Sequence, residues 1–332
     1  MKFLSLALLA TPALTQSLKE VLDAAPHGKQ FAQGISGDQK AQDALVPPGK
    51  SQVTLFLPTD KALEDHRSNA PRPGRKSKRE LRPDEYAIAA YSSGDDKMAL
   101  NAIAGGAVLK TQSADPTSGK ANDIVAMGGG GGKLRLMARD NTTTPPGISV
   151  FGGLGAKANI VAGDFVFDKG VIHFVDTCVF LLLLLLIPSK LTKFPRIMDV
   201  PQRCSFTIGE LRYNNFLSAL SAAGLSAAID QQTTTLLAYR DDVFTSSADK
   251  SAKTLQQHII PNFIAYTPSL DGVQTLTTAA NTTLKVSVRN GQYFINESPI
   301  VKSNIICNNG VVHTLGSVRI SSLFFFLFPF SP

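Results

Sequence analysis

Residues 160–173 and residues 300–313 carry one pattern twice, and the two copies lie 140 positions apart without a gap. In the first copy the segment IVAGDFV is followed, after three residues, by GVIH. In the second copy the corresponding segments are IVKSNII and GVVH. A period this long predicts two domains of one kind, since solenoid units are shorter. A chain of 332 residues has room for two such domains, each able to bury a core.

Each copy predicts a β-hairpin that carries a histidine in its second strand. The apolar runs are rich in Val, Ile and Phe, as strands are, and DKG at 168–170 and NNG at 308–310 are typical of turns. We interpret His173 and His313 as packed residues whose ring nitrogens satisfy nearby backbone groups. Metal binding is disfavoured because no second His or Cys follows at ligand spacing.

A second repeated element lies upstream, where residues 54–63 match residues 235–244. The first copy reads as an apolar strand, then Pro-Thr-Asp, then the start of a helix with Thr59 or Asp60 as its N-cap. The second copy keeps Asp241 but lacks the Pro-Thr pair. An amphipathic helix is predicted ahead of each element, around 18–22 and around 216–225.

The segments TLFLPTD (54–60) and GVIHFVD (170–176) resemble the two signature boxes of the fasciclin domain. The second half resembles the same family through GVVH (310–313), LQQHIIP (255–261) and residues 270–277. The box residues are Thr54, Pro58, Thr59, Asp60, Gly170, His173, Gly310 and His313. The resemblance implies an α+β fold of two fasciclin-like domains, each a small twisted β-sandwich or wedge with helices packed on one side. It also implies an extracellular adhesion or matrix role without catalysis.

A tyrosine–histidine motif with flanking apolar residues is associated with adhesion in that family. The matching positions here are Gln257 and His258, so the tyrosine is missing. These two residues are the binding site that the resemblance implies.

The domain organisation follows from the boxes and from the composition between them. We predict a signal peptide at 1–16, fasciclin-like domains at 17–177 and 205–318, a linker with an apolar insertion at 178–204 and an apolar tail at 319–332. The apolar stretch within residues 1–16 is too short to span a membrane, which favours a signal peptide over a membrane anchor. The predicted location is therefore outside the cell or at its surface, with the vacuolar lumen as an alternative.

Three Asn-x-Ser/Thr sequons agree with secretion, at Asn141, Asn281 and Asn296. Pro299 follows the last of them and makes it the least favourable acceptor.

The first domain is longer than the second between its boxes. Thr54 and Gly170 are 116 positions apart, whereas Thr235 and Gly310 are 75 positions apart, a difference of 41. One of the extra stretches is basic and holds Arg72, Arg75, Lys76, Lys78, Arg79 and Arg82. This stretch could bind acidic glycans or phospholipid head groups, be processed at its dibasic pair, or be a solvated loop. Nucleic acid is excluded as a partner because no aromatic residues are interleaved for stacking.

Two apolar runs, at 178–187 and 323–330, begin just after a closing box. Each is shorter than the roughly 20 residues that a membrane helix needs. Our hypothesis is that residues 178–195 and 319–332 are translated non-coding sequence. The alternative is an interdomain plug together with a weak membrane anchor in the tail.

The chain has three cysteines, an odd number that leaves one without an intramolecular disulfide partner in a secreted protein. If Cys178 belongs to a spurious insertion, Cys204 and Cys307 remain as a candidate disulfide, with free buried thiols as the alternative.

The sequence predicts no enzyme, cofactor or metal site, since it lacks a nucleophile elbow, a helical His pair and a nucleotide fingerprint. We therefore expect a binding protein whose partners are cell-surface or matrix proteins or glycans. A carrier of an apolar or anionic small molecule, held in a cleft between the domains, is the alternative. The oligomeric state is not predicted.

Overall fold

The computed structural model describes residues 16–69, 90, 92–114, 121–128, 147–177, 201–230, 233–245 and 248–318. Two groups of strands are present, and we call them, with their helices, the first unit (residues 16–177) and the second unit (residues 201–318).

The first unit places its helices mainly ahead of its strands. The helices are α1 (Leu18–Ala24), α2 (Lys29–Ile35), α3 (Gln39–Leu45), α4 (Asp60–Asn69) and α5 (Leu100–Ala104). The strands are β1 (Val53–Pro58), β2 (Ser93–Gly94), β3 (Ala107–Ala114), β4 (Ala121–Gly128), β5 (Ile148–Phe151), β6 (Lys157–Phe167) and β7 (Gly170–Val175).

These seven strands close into a barrel in the order β1-β2-β3-β4-β5-β6-β7. Every neighbouring pair is antiparallel except β1 and β7, which run parallel and close the barrel. Both strands of this closing pair are buried along their full length, in keeping with their nearly unbroken apolar sequences.

The second unit repeats this arrangement with fewer helices. Its helices are α6 (Cys204–Glu210), α7 (Asn214–Ala222), α8 (Ser226–Asp230) and α9 (Ala252–Gln256), with a 3₁₀ turn at Thr267–Leu270. Its strands are β8 (Thr234–Ala238), β9 (Ile259–Pro261), β10 (Thr275–Thr277), β11 (Thr283–Arg289), β12 (Gln292–Ile295), β13 (Ser298–Cys307) and β14 (Gly310–Leu315).

The second sheet has the order β10-β11-β12-β13-β14-β8-β9. Its parallel pair, β8 with β14, corresponds to β1 with β7, and its hairpin β13–β14 corresponds to β6–β7. The predicted hairpins and the predicted α+β class are confirmed, and the strands form two similar units. The first sheet closes into a barrel, whereas the sequence predicted only a small sandwich or wedge.

Each unit has its own apolar core. In the second unit one cluster joins α6, α7 and α8 to the sheet, with Ile208, Phe216 and Leu236 all fully buried. In the first unit Leu22 of α1 packs against Leu55 and Phe174 of the closing strand pair. The predicted amphipathic helices therefore form and bury the faces that their sequences suggested.

The two copies of the opening box differ after the strand. Helix α4 follows β1, with Thr59 as its N-cap accepting a hydrogen bond from the amide of Ala62 at 3.1 Å. After β8 the chain makes only turns over residues 241–243. In the described part of the chain no helix is long and apolar enough to cross a bilayer.

Candidate functional site

The backbone of a single residue in each unit connects the opening box to the closing box. In the second unit the amide of Ala265 donates to the hydroxyl of Thr235 at 2.8 Å, while its carbonyl accepts from His313 Nε2 at 2.7 Å. In the first unit Met98 does the same between Thr54, at 2.8 Å, and His173, at 2.8 Å. The box residues Thr and His therefore hold the same backbone segment from two sides.

The other ring nitrogen of each box histidine is also occupied. His173 Nδ1 accepts from the amide of Asp164 at 3.3 Å, and His313 Nδ1 accepts from the amide of Asn304 at 3.4 Å. This pattern places the proton on Nε2 of both rings. Burial lowers the pKa of His173, and it lowers the pKa of His313 to about 4. The interpretation of both residues as packed, hydrogen-bonded histidines agrees with this geometry.

Asp164 and Asn304 occupy equivalent bulges in β6 and β13, where the strand register shifts. Both residues have positive φ angles, 60° and 54°, a conformation that Asn and Asp tolerate better than most residues. Their side chains accept from the first amides of an earlier helix and an earlier 3₁₀ turn: Asp164 accepts from Leu100 N at 2.8 Å, and Asn304 accepts from Thr267 N at 2.9 Å. The bulge thus aims one side chain at a helix start and one amide at the histidine.

The box glycines mark a close approach of two backbones. A Cβ on Gly170 would lie 2.9 Å from the carbonyl carbon of Val53, and one on Gly310 would lie 2.9 Å from that of Thr234, with the carbonyl oxygens nearer still. Only glycine allows the parallel strands to meet at these points.

The box aspartates cap helices from a distance. Asp60 Oδ1 accepts from the amide of Gln30 at 2.9 Å, at the start of α2. Asp241 Oδ1 accepts from the amide of Asn215 at 2.8 Å, at the start of α7. A carboxylate at a helix N-terminus satisfies a free amide and is favoured by the helix dipole. This shared role explains why Asp241 is kept although the helix after it is not.

His258, a binding residue that the resemblance implies, lies in the core. It is 2% exposed, with Nδ1 against the carbonyl of Thr254 at 2.9 Å and Nε2 against the hydroxyl of Tyr239 at 3.0 Å. Phe216 packs against its ring edge-on. Burial lowers the pKa of His258 to about 4. Gln257 beside it is half-buried at the C-cap of α9.

The two units touch through a mixed apolar and polar contact. Val125 of β4 packs with Tyr266, Ile306 and Val311 of the second unit in one buried cluster. The Tyr266 hydroxyl donates to the buried carboxylate of Asp123 at 2.9 Å, and this carboxylate also pairs with Lys110 at 2.5 Å. Side chains therefore fill this contact, which weakens the alternative of a carrier with a ligand cleft between the domains.

The two described sequons differ in how accessible they are. Asn281 is exposed in the turn between β10 and β11. Asn296 uses its side-chain oxygen to accept from the amide of Lys285 at 2.7 Å, and the sequon serine, Ser298, is fully buried and donates to the carbonyl of Ser317 at 2.8 Å.

We expect N-glycosylation of the secreted chain at Asn281 and none at Asn296, because an acceptor must present both its amide and its hydroxyl residue to the transferase. Peptide mass spectrometry after glycosidase treatment in ¹⁸O water measures the occupancy of each site. Asn281→Gln should remove the modification, whereas Asn296→Gln should leave it unchanged. Higher occupancy at Asn296 than at Asn281 would contradict this expectation.

Several predicted features lie outside the described residues. They are residues 1–15 of the predicted signal peptide (1–16), the basic residues Arg72, Arg75, Lys76, Lys78, Arg79 and Arg82, the sequon at Asn141, Cys178, and the apolar segments at 178–195 and 319–332. Within the described ranges, no cluster of three or more His, Cys, Asp or Glu side chains could hold a metal ion.

Residues 211–320 match the family model of the fasciclin domain. These residues are therefore identified as a fasciclin domain. The match covers most of the second unit. The first unit has the same parallel closing strand pair, the same hydrogen bonds from the box Thr and His to one backbone segment, and the same bulged hairpin. The first unit therefore repeats the strand arrangement of the matched unit.

Two curated relatives are fasciclin-like arabinogalactan proteins of fungi. CTB11 of Cercospora beticola is 28% identical over 187 residues, 55% of this chain and 47% of the relative. The relative from Arthroderma benhamiae is 26% identical over 175 residues, 50% of this chain and 37% of the relative. The chain thus matches less than half the length of either relative.

Among solved structures, the FAS1 domain pair of the insect cell adhesion molecule fasciclin I is similar at 15% sequence identity. The similarity covers 87% of this chain and 95% of that one, with a TM-score of 0.35.

Sequence reasoning identified the box residues but missed Met98 and Ala265. Both act through backbone groups, and a backbone donor or acceptor leaves no signal in residue type. The sequence offered one hint: a buried Thr and a buried His must each find a hydrogen-bond partner.

Proposed function

We propose that this chain is an extracellular, non-catalytic binding protein of the fasciclin type, acting in cell adhesion or in attachment to a matrix or cell wall. The observation that carries the proposal is the family match together with the use of the box residues. The Thr, Asp and His side chains of the boxes are engaged in hydrogen bonds that hold the fold. Partners are therefore met by exposed surface and loops.

The partner class that we propose is an acidic glycan of the cell surface or matrix. The chain carries a formal net charge of +7, and the segment 72–82 holds six basic residues against one acidic residue. Such a segment attracts polyanions by Coulomb forces that salt screens over about 10 Å at 0.1 M. The relatives' name, fasciclin-like arabinogalactan protein, supports a setting rich in glycans.

The test measures binding of the purified secreted chain to immobilised heparin, as a model acidic glycan, and to a neutral β-glucan. We expect binding to heparin that weakens at least tenfold between 0.05 and 0.3 M salt, as roughly six neutralised charges would produce. Changing the six basic residues of 72–82 to Gln should abolish it.

The matched control removes the same charge from exposed positions elsewhere. Its six substitutions to Gln are at Lys29, Lys40, Lys61, Lys97, Lys169 and Lys285, all of which are exposed. This control should retain most of the heparin affinity. If both variants lose the same heparin affinity, the segment acts only through its share of the net charge. If binding depends neither on salt nor on these charges, the acidic-glycan proposal is wrong.

A further inference from the structure

Cys204 and Cys307 meet where the second unit begins and where its hairpin turns. Cys204 is the first residue of α6 and Cys307 is the last residue of β13, and the two are 0% and 4% exposed. The amide of Asn308 donates to the carbonyl of Gln202 at 3.0 Å, which holds the two backbone segments together beside the sulfurs.

The two cysteines lie in the same buried core cluster. Both sulfurs are free in the structure, and both residues belong to the apolar cluster of the second unit. The pKa of the Cys204 thiol is raised well above its usual value, first by its hydrogen bond with Cys307 and then by burial. The Cys307 thiol also donates a weak hydrogen bond to the carbonyl of Ile305 at 3.9 Å.

The first unit fills the same place differently. The residue 140 positions before Cys307 is Phe167, a buried aromatic that packs in the cluster containing Val21 and Leu22 of α1. One large apolar side chain thus joins the first helix to the closing hairpin in the first unit. In the second unit two small sulfur-bearing side chains take over this junction.

We propose that Cys204 and Cys307 form a disulfide bond in the secreted protein, joining the first helix of the second unit to its closing hairpin. The proposal rests on the extracellular location proposed above, because disulfides persist in oxidising compartments. The two thiols lose two protons and two electrons as the S–S bond forms. A disulfide of a protein oxidoreductase or of glutathione accepts them and becomes two thiols.

The bond would close a loop of about 100 residues, nearly the whole second unit. A cross-link over so long a loop removes much conformational freedom from the unfolded chain. Burial also sets its timing, because an external oxidant or reductant cannot reach sulfurs that are almost fully covered. The bond should therefore form before the second unit closes and resist reduction until the unit opens.

The first experiment maps the thiols of the protein purified from the medium of a eukaryotic host. The chain is denatured in N-ethylmaleimide without reductant, digested, and analysed by mass spectrometry. We expect a linked Cys204–Cys307 peptide 2 Da lighter than its two reduced halves, with neither cysteine alkylated. Alkylation of both cysteines, or a link from either one to Cys178, would overturn the proposal.

A second experiment separates the disulfide from the location. The purified chain is reduced, unfolded and refolded in a glutathione redox buffer. The Cys204–Cys307 link should form as the main product, in Cys178→Ser as in the parent chain. If the chain stays inside the cell but forms this link in the buffer, the location fails while the pairing stands. Mixed pairings in the buffer would overturn the pairing itself.

The stability readout compares the oxidised chain with Cys204→Ala/Cys307→Ala. Loss of the cross-link should lower the Tm of the second unit by more than about 10 °C. The oxidised chain should keep its link in dithiothreitol under native conditions and lose it after addition of urea. Rapid reduction of the native chain would contradict the buried position of the bond.

Discussion

Gly310→Ala is expected to prevent folding of the second unit, or to lower its free energy of unfolding by more than about 4 kcal/mol. The new Cβ would lie 2.9 Å from the carbonyl carbon of Thr234 and 3.2 Å from its nitrogen. Backbone atoms cannot rotate away as a side-chain end can, so β8 and β14 must separate. That movement would also pull the side chains of His313 and Thr235 away from the backbone of Ala265, to which both are hydrogen-bonded.

Urea unfolding followed by tyrosine fluorescence measures this effect, because the chain has no Trp and four of its six Tyr lie in the second unit. Gly209→Ala is the matched control. Its Cβ would meet only Leu217 at 3.5 Å, an ordinary contact at the end of α6, so its stability should stay within about 1 kcal/mol of the parent. A Gly310→Ala chain as stable as this control would refute the close approach of the two strands.

Acid is expected to destabilise the second unit well above the range in which carboxylates titrate. The folded unit holds His258 and His313 with pKa values of about 4, because burial disfavours their charged forms. In the unfolded chain a histidine takes up its proton near pH 6.5. The unfolded state therefore binds more protons between these values, so stability is full above pH 6.5 and falls as the pH drops toward 4.

Each histidine should remove about 2 kcal/mol between pH 7 and pH 5, so the pair should remove about 4 kcal/mol. The measurement is the urea midpoint at pH 7, 6 and 5, read by tyrosine fluorescence. Burial raises the pKa of Tyr239, the hydroxyl partner of His258, so this group stays neutral throughout.

His258→Gln separates the two contributions. This variant should be less stable at pH 7, since Tyr239 and Thr254 lose their partner, but its stability should fall only about half as steeply with pH. An unchanged slope would show that His258 does not titrate as its buried position requires.

The sequence predicted the parts of the fold that depend on pattern and turn chemistry. The 140-residue repeat located both hairpins, since alternation and the glycine turns are local signals. The Thr59 cap was also readable, because a cap binds within its own first turn. The box histidines were interpreted correctly from one rule, that buried polar atoms are paired.

Features that arise between distant segments could not be predicted. Tyr239 and His258 are 19 residues apart, and their hydrogen bond forms only when β8 and the end of α9 are side by side. The motif comparison therefore predicted His258 as a binding residue, whereas the aromatic rings of Phe216 and Tyr239 pack against it. The contact of Tyr266 with Asp123 spans 143 residues and has no local signal at all.

During synthesis, Thr54 of β1 leaves the ribosome 116 residues before Gly170, the first residue of its parallel partner β7. In the second unit, Thr235 of β8 leaves only 75 residues before Gly310, the first residue of β14. At about 5–20 residues per second, the additional 41 residues of the first unit prolong this wait by roughly 2–8 seconds. The same residues add only about 0.4 kcal/mol to the entropy cost of closing the loop. For that interval the mostly apolar strand β1 has no closing partner and can pair with another nascent chain. The longer insertions of the first unit thus burden its biogenesis more than its final stability, and chaperone dependence should concentrate in that half of the protein.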